Sequence, residues 1–418
     1  MVPSIRYLVS SPYGDIPADK KKWDLPLEGD ELKTSYKIYF HSIKNFLLKD
    51  DLKPLLPIIS KKTGKEIHFK EIYEIIVRSE KHGVLYHPAS IEFILKGEKI
   101  KFGLNVAISD TGRVWLRKEF DTLQKLHSKF DLPYLPRVYF LGDANAMSFL
   151  LEDWFESYHE FHISIDKDGT QRLKLWDFDK GYRYLSPEQS FEIYKQVSQI
   201  LTLYYDLKNF SQILAWHHAA GDFVVRIEDK AIGHPHPNPP PSRGRADRES
   251  PSSRESESIS FADKYPLSTG GRGLGGGVIN VRLTTVRRYE PFIGFTDKEA
   301  LNPILALYYY FLNLTIRMRL DKLDGMGEVI WADDKCLEAT LIGFFEVLKL
   351  KGDLKHYLNL NRAEDFLMLL QTFSQEELKS IINPLIDQYR NTNDSPVIIA
   401  NLDKHIEEIY TTLQNLPL

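Results

Sequence analysis

The stretch AWHHAAGDFVV, residues 215–225, joins a loop of small and polar residues to an apolar segment with the composition of a β-strand. Three small residues, Ala219, Ala220 and Gly221, allow the loop to pack closely against neighbouring backbone. Two histidines precede them and Asp222 follows, and imidazole and carboxylate groups serve as general bases and as metal ligands. The stretch therefore predicts a compact functional loop ahead of a strand, although small residues also serve tight packing alone.

The composition is typical of an ordinary globular protein with room for two or three lobes. The chain has 418 residues, of which 43% are hydrophobic and 27% charged, with a formal net charge of −4. Because long runs of basic residues are absent, we expect no binding to nucleic acid or to anionic membranes. The single cysteine, Cys336, excludes an internal disulfide and fits a reducing compartment. Without an apolar leader after Met1 or an apolar run of ~18 residues, we expect a cytoplasmic protein.

Hydrophobic periodicity predicts helices first and then a sheet. Apolar residues recur at helical spacing over 35–56 and over 69–80, which indicates a helical N-terminal extension covering residues 1–82. From residue 89 the period changes to two, and segments 91–95 and 100–108 indicate a β-hairpin around Gly97. A helix capped by Thr111 should follow and end near Lys129. Strands are then expected over 137–141 and 149–154.

Further along, the pattern becomes mostly helical. A long hairpin is expected from 160–165 and 173–177, and Ser186 should cap a helix that runs to about residue 207. Two strands should follow Asp222, and the chain from residue 298 has an almost entirely helical pattern. Between those strands, residues 233–277 hold seven of the 22 prolines and eight of the 24 glycines. We predict that this insertion is disordered and expect no function in it.

The order of these elements and three motif-like stretches resemble the kinase-like fold of aminoglycoside- and fructosamine-type small-molecule phosphotransferases. The stretches are SDTGRVWLRKEFDTLQKL (109–126), LPYLPRVYFLG (132–142) and the loop at 216–225. The resemblance implies an α+β, bilobal protein-kinase-like fold, with a small antiparallel-sheet N-lobe over 83–153 and a large, mainly helical C-lobe over 154–418. It further implies that Glu119 takes the αC glutamate position and that Glu152 and Asp153 lie in the hinge, all three near a nucleotide. The implied cofactors are ATP and Mg²⁺.

Several groups that phosphoryl transfer needs are missing or replaced in this chain. In the family, an Asp orients the substrate hydroxyl and an Asn five residues later holds a metal; the resemblance places His217 and Asp222 there. Segment 104–108 has no lysine that could hold nucleotide phosphates opposite Glu119, and Lys101 lies too early. Thr284 or Thr285 falls where a metal-binding Asp is expected, and a hydroxyl cannot replace its charge. Standard ATP-dependent transfer is therefore not expected.

Histidine and carboxylate side chains supply the remaining candidates for chemistry. Asp222, His218 and His159 form a candidate metal set, and His217 and Asp222 are the candidate catalytic residues. His159 and His162 are three residues apart and should face opposite sides of a strand. A structural interpretation stays open, in which the histidines bond backbone carbonyls and pack against aromatic rings.

Three arginines of the second predicted strand, Arg282, Arg287 and Arg288, are candidates for binding an anion. A guanidinium binds phosphate or carboxylate in forked geometry. Alternation along an extended segment should send Arg287 and Arg288 to opposite faces, so that at least one of them is solvated.

Three functions remain open at this point. The first is a kinase-like protein with a remodelled cleft that binds a nucleotide or small molecule without standard phosphoryl transfer. The second is an active atypical small-molecule phosphotransferase or metal-dependent enzyme that uses His217 and Asp222. The third is a non-catalytic interaction protein whose helical extensions contact a partner.

Overall fold

The computed structural model of the chain describes residues 3–11, 14–80, 83, 85–177, 181–214, 216, 221–228, 278–292, 302–325 and 327–416. These residues form helices and multi-stranded sheets, in agreement with the predicted α+β class. The predicted insertion 233–277 lies outside the described residues. Within the described ranges, none of the helices combines the length and the hydropathy that a membrane span requires.

The first part of the chain builds a seven-stranded sheet. Its strands are β1 (Ser4–Val9), β2 (Ile16–Pro17), β3 (Glu74–Ser79), β4 (Ala89–Leu95), β5 (Glu98–Ala107), β6 (Val138–Ala144) and β7 (Met147–Asp153). They lie in the order β2-β1-β3-β4-β5-β7-β6. All neighbouring strands are antiparallel except β1 and β3, which pair in parallel from Ser4 opposite Glu74 to Val9 opposite Ser79. The sheet predicted to be antiparallel is therefore mixed.

The predicted helical extension 1–82 contributes both helices and strands. Helix α1 spans Lys20–Trp23, α2 spans Tyr36–Leu47 and α3 spans Leu56–Thr63, with short 3-10 turns at Lys49–Leu52 and Phe69–Glu71. The helix predicted over 69–80 is wrong, because most of that segment is β3. Ile75 and Val77 are fully buried on one face of the sheet, while Ile76 lies on the other face. The isoleucines of this segment also fit helical spacing, and for that reason the alternation typical of a strand was not recognised. Residues 1–82 thus share a sheet with the hairpin of β4 and β5.

The two faces of the seven-stranded sheet differ in polarity because successive side chains alternate between them. On the outer face, Phe102, Leu104 and Val106 of β5 are at most 1% exposed and share a core with α2 and α3. The inner face carries polar and charged side chains and is partly covered by helix α4 (Asp110–Lys129). Ser109 caps α4 by accepting a hydrogen bond from the Gly112 amide, so the cap lies two residues before the predicted Thr111.

A five-stranded antiparallel sheet follows in the second part of the chain. Its strands are β8 (His159–Ile165), β9 (Gln171–Asp177), β10 (Gly181–Tyr184), β12 (Phe223–Glu228) and β13 (Val278–Leu283), in the order β10-β9-β8-β12-β13. Strands β12 and β13 pair continuously from Phe223 opposite Leu283 to Glu228 opposite Val278, on either side of residues 229–277. Smaller sheets pair β11 (Ser211–Leu214) with β14 (Arg288–Pro291), and β15 (Leu320–Lys322) with β16 (Val329–Trp331).

Helices pack around this second sheet and form the larger core. They are α5 (Pro187–Leu203), α6 (Pro303–Arg319), α7 (Asp334–Leu350), α8 (Leu354–Leu358), α9 (Ala363–Gln371), α10 (Gln375–Tyr389) and α11 (Ser395–Asn415), with a 3-10 turn at Leu323–Gly325. As predicted, Ser186 caps α5 and accepts a hydrogen bond from the Gln189 amide. Gln196 of α5 donates a hydrogen bond to the carbonyl of Ile279 and accepts one from the amide of Val281. Its side-chain amide thus pairs with backbone groups at the edge of β13.

Candidate functional site

The Glu119 carboxyl lies where α4 approaches the segment after β13. Glu119 occupies the buried stripe of α4 between Leu116 and Leu123 and is fully buried. Its Oε1 accepts hydrogen bonds from the Thr285 hydroxyl and from the Val286 amide, the latter at 3.0 Å, and the Tyr86 hydroxyl also interacts with this carboxyl. Burial raises the pKa of Glu119, and the bond from Thr285 acts against that rise.

Asp222 is held by a guanidinium fork. Arg287 Nη1 lies 3.3 Å from Asp222 Oδ2, and Arg287 Nη2 lies 3.1 Å from Oδ1. The Asp222 side chain is 6% exposed and that of Arg287 is 30% exposed. The backbone around Asp222 is fixed as well, because its carbonyl accepts bonds from the amide and the hydroxyl of Thr284 at 2.7 and 2.9 Å. Gly221, just before it, has a φ of +83°, which explains the need for glycine in this loop.

Glu152 of β7 projects from the inner face of the seven-stranded sheet. It is 8% exposed, its Oε1 accepts a hydrogen bond of 2.9 Å from Asn105 Nδ2, and its Oε2 has no partner. Burial raises the pKa of Glu152 well above its ordinary value, and the charge of Glu119 raises it further. The Tyr86 hydroxyl lies beside Glu119, interacts with its carboxyl and is within electrostatic range of Arg287 and Glu152.

These contacts join residues from six segments into one group, which we call the central polar cluster. The predicted residues Glu119, Glu152 and Asp222 all belong to it. Sequence reasoning gave no role to Tyr86, which carries no motif. The cluster consists of Tyr86, Asn105, Glu119, Glu152, Asp222 and Arg287.

Asp153 lies on the other side of the sheet, unlike its neighbour Glu152. It is opposite Phe102 on the outer face, and its Oδ1 accepts a 2.6 Å hydrogen bond from the Tyr139 hydroxyl and lies 2.6 Å from Lys62 Nζ. Adjacent residues of a strand face opposite sides, so the two predicted hinge carboxylates cannot act on one ligand.

The cation nearest to the hinge on the inner face of β5 is Lys101, and it does not reach Glu119. Its Nζ stands 4.2 Å from the ring centroid of Trp154, and burial lowers its pKa. At the position on β5 that is closer to the cluster, Asn105 contacts Glu152 instead. Thus no lysine of β5 contacts Glu119, as the sequence indicates.

The predicted histidines separate into different surroundings. His159 Nε2 lies 3.9 Å from Asp177 Oδ2, whereas His162, which is 2% exposed, has its Nε2 3.4 Å from Glu160 Oε2. His217 and His218 lie outside the described residues. Among the residues that the structure describes, no three His, Cys, Asp or Glu side chains are placed to hold a metal ion.

Asp321 of β15 is a further buried carboxyl near the cluster. It is fully buried, and its Oδ2 accepts a hydrogen bond of 3.4 Å from the Ile163 amide. Burial raises the pKa of Asp321 to about 7, and the charge of Asp222 contributes to the rise. The neighbouring Gly325 has a φ of +77° and no room for a Cβ, which would lie 2.5 Å from the His162 ring.

The arrangement concentrates acidic groups around one guanidinium that is already paired. A triphosphate brought to this place would meet the buried carboxyls of Glu119 and Glu152, and the Arg287 guanidinium is already paired with Asp222. A scan against protein-family models gives no match, and a search of curated proteins finds none with a similar sequence.

Proposed function

We propose that this protein is a bilobal, kinase-like binding protein, in which the central polar cluster lies in a cleft that takes a small molecule without phosphoryl transfer. The order of hairpin, α4, β6, β7, α5, loop and the β12–β13 pair supports a relationship to small-molecule phosphotransferases. The contact between Glu119 of α4 and Thr285 supports the same interpretation, since it joins the residue at the αC glutamate position to one that falls where the metal-binding Asp is expected.

The main observation against phosphoryl transfer is the ion pair between Asp222 and Arg287. Mg²⁺ needs oxygen ligands at about 2.0–2.1 Å in near-octahedral geometry. Both carboxylate oxygens of Asp222 are engaged by Arg287, so a metal would first have to break a largely buried, bidentate ion pair. Thr285 stands at the other metal position and gives its hydroxyl to Glu119. The described side chains therefore do not fit Mg²⁺ and ATP.

Unfilled hydrogen-bonding capacity supports ligand binding in the same place. Glu152 Oε2 is buried without a hydrogen-bond partner among the described residues. A buried polar atom with no partner costs about 1–3 kcal/mol, so such atoms are rare unless a ligand or an ordered water serves them. This oxygen, at the centre of the cluster, supports a site that is completed by a bound molecule.

Thermal-shift titration tests the proposal, because a ligand that binds only the folded protein raises its stability by RT ln(1 + [L]/Kd). Nucleotides with and without Mg²⁺ or Mn²⁺ should give no metal-dependent shift, while a library of small polar metabolites should contain compounds that do. Loss of those shifts in Glu152→Gln, with their retention in the exposed control Glu156→Gln, would assign binding to the cluster.

Two other outcomes would favour the alternatives. A nucleotide shift that requires a metal and disappears in Asp222→Asn would support an active phosphotransferase that uses His217, Asp222, ATP and Mg²⁺. The absence of any shift across nucleotides and metabolites would leave a protein that acts through partner contacts alone.

A further inference from the structure

We propose that a cavity at the edge of the seven-stranded sheet binds a small organic anion, in which a phosphate or carboxylate group is joined to an apolar body. The cavity has a volume of about 690 Å³ and lies between helix α3, the C-terminal half of α4 and the edge strand β6. None of its lining residues belongs to the central polar cluster. The proposal therefore adds a site beyond the proposed function and does not depend on it.

The size and the walls of the cavity suit a small molecule. Pockets that bind small molecules have volumes of about 300–1,000 Å³ and combine mostly apolar walls with a few polar groups. The apolar and aromatic side chains here come from α3, from the segment around the end of α4 and from β6, and they include Ile58, Phe130, Leu132 and Tyr139. We expect the apolar body of the ligand to pack against these side chains.

The charges along the cavity are mostly positive. Lys61, Lys62 and Arg137 line it, whereas Asp131 is the one acidic side chain among the lining residues that the structure describes. The whole chain has a net charge of −4, so this excess of cations is local and does not follow from the composition. Cavities lined by charges of one sign concentrate ions of the opposite sign, and the lining therefore favours an anion.

Two of the three cations are available to a ligand. Within the part of the chain that the structure describes, the side chains of Lys61 and Arg137 form no ion pair and no hydrogen bond. A guanidinium binds phosphate or carboxylate through two parallel hydrogen bonds, and an ammonium contributes a point charge. We therefore assign the anionic group of the ligand to these two side chains.

Asp153, which lies outside the central polar cluster, positions part of the cavity wall. Its Oδ1 lies 2.6 Å from Lys62 Nζ and accepts a 2.6 Å hydrogen bond from the Tyr139 hydroxyl. Its Oδ2 accepts a hydrogen bond of 3.1 Å from the Arg137 amide. One carboxylate thus fixes three residues that line the cavity, and a wall fixed in advance lowers the entropy lost when a ligand binds.

Other occupants fit less well. A cation would meet three basic side chains, and a purely apolar molecule would make no contact with the charges of Lys61 and Arg137. An inorganic anion would contact those charges but would leave the apolar walls uncovered. An anion with an apolar body contacts both parts of the lining.

Thermal-shift titrations of the full chain at constant ionic strength test the proposal, with phenyl phosphate and benzoate as probes. Inorganic phosphate supplies the anionic group alone, and benzyl alcohol supplies the apolar body alone. We expect saturable stabilisation by at least one of the two probes, at concentrations at which neither partial probe shifts the unfolding midpoint. Tighter binding of phenyl phosphate would identify a phosphate ester as the ligand class, and tighter binding of benzoate would identify a carboxylate.

Variants of the two available cations assign the binding to this cavity. Lys61→Gln and Arg137→Gln should each weaken the apparent affinity by about three- to fivefold, because both side chains are partly solvated. The double variant should weaken it by about tenfold or more if the two effects add. Lys44→Gln and Arg183→Gln are the matched controls: both residues are exposed, neither lines the cavity, and the affinity should stay unchanged.

Three results would overturn the proposal: no shift with either probe, an equal shift with inorganic phosphate alone, or probe shifts that persist in the double variant. Glu152→Gln, in the central polar cluster, should leave the probe shifts unchanged. The metabolite titrations depend on Glu152 and not on Lys61 or Arg137, so failure of this proposal is distinguishable from failure of the proposed function.

Discussion

The outer and inner faces of the seven-stranded sheet are built from the same strands and have opposite chemistry. On β5, Phe102, Leu104 and Val106 point outward into a core shared with α2 and α3, while Lys101 and Asn105 point inward. On β7, Phe149 and Leu151 belong to the same outer core, while Glu152 lies on the inner side. A face needed only for stability would be expected to resemble the outer one, because buried unpaired polar groups destabilise a fold. We therefore assign the candidate functional site to the inner face.

The largest expected effect tests this difference on a single strand. Phe102→Ala removes a fully buried ring that makes edge contacts with Phe93 and Tyr139, and we expect a loss of about 3–5 kcal/mol of unfolding free energy. Asn105→Ala, three residues away on the inner face, removes one hydrogen bond and should cost about 1–2 kcal/mol. Urea unfolding of both variants measures the difference. Equal losses would contradict the division into a packed face and a functional face.

Asp321 lies within electrostatic range of Asp222 of the central polar cluster, and its effect on stability should depend on pH. Its pKa is raised from 3.8 to about 7 in the folded state, so the folded protein binds this proton more tightly than the unfolded chain. The resulting stability is present below about pH 4 and is lost as the pH rises to about 7, and three pKa units correspond to roughly 4 kcal/mol at most. Asp321→Asn should remove this loss, so that the variant gains stability over the wild type at about pH 8.

Urea unfolding at acid and at slightly alkaline pH measures that change. Asp168→Asn, in the exposed turn between β8 and β9, is the matched control and should follow the wild type at both pH values. A variant at Asp321 that keeps the pH dependence of the wild type would mean that this carboxyl is not the group responsible.

Local patterns predicted much of the fold, and the exceptions have a common cause. The hairpin of β4 and β5, helix α4, the hairpin of β8 and β9 and the cap of α5 all follow from short-range periodicity and turn residues. Strands β1 and β3 were missed because they pair in parallel across about seventy residues, with no turn signal between them. The isoleucines of β3 fit helical spacing by coincidence, and only the pairing with β1 and β4 decides between the two periods.

The candidate site was predictable only in part for the same reason. Glu119 and Asp222 stand in recognisable motifs, and both belong to the central polar cluster. The pairing of Asp222 with Arg287 joins residues sixty-five positions apart, and the approach of Tyr86 to Glu119 depends on how α4 packs on the sheet. Strand alternation alone could have separated Glu152 from Asp153, since one strand residue cannot face the same side as the next.

A third prediction concerns the ion pair that closes the cluster. Arg287→Met removes the guanidinium that pairs with the largely buried Asp222 carboxylate, and we expect a loss of about 2–3 kcal/mol of unfolding free energy, reduced from the value for a fully buried pair because Arg287 is partly solvated. Arg288→Met is the matched control: its guanidinium pairs with exposed Glu290, so the change should stay within about 0.5 kcal/mol. The double variant Asp222→Asn/Arg287→Met should recover most of the loss. No recovery in that variant would mean that Arg287 acts through packing and not through charge.

The smallest expected loss of stability comes from replacing the longest segment, residues 229–277. Strands β12 and β13 pair through to Glu228 opposite Val278, so replacing residues 229–277 by Asn-Gly would join them with a two-residue hairpin loop. Since the entropy of loop closure rises only slowly with length, unfolding free energy should not fall and should rise by no more than about 3 kcal/mol. A Gly/Ser linker of the original length is the control and should match the wild type. If both variants lose stability, or lose the thermal shifts with ligands, residues 229–277 contribute contacts to the inner face of the seven-stranded sheet. If stability is retained, the contacts to the inner face come from β12, β13 and the residues that follow them.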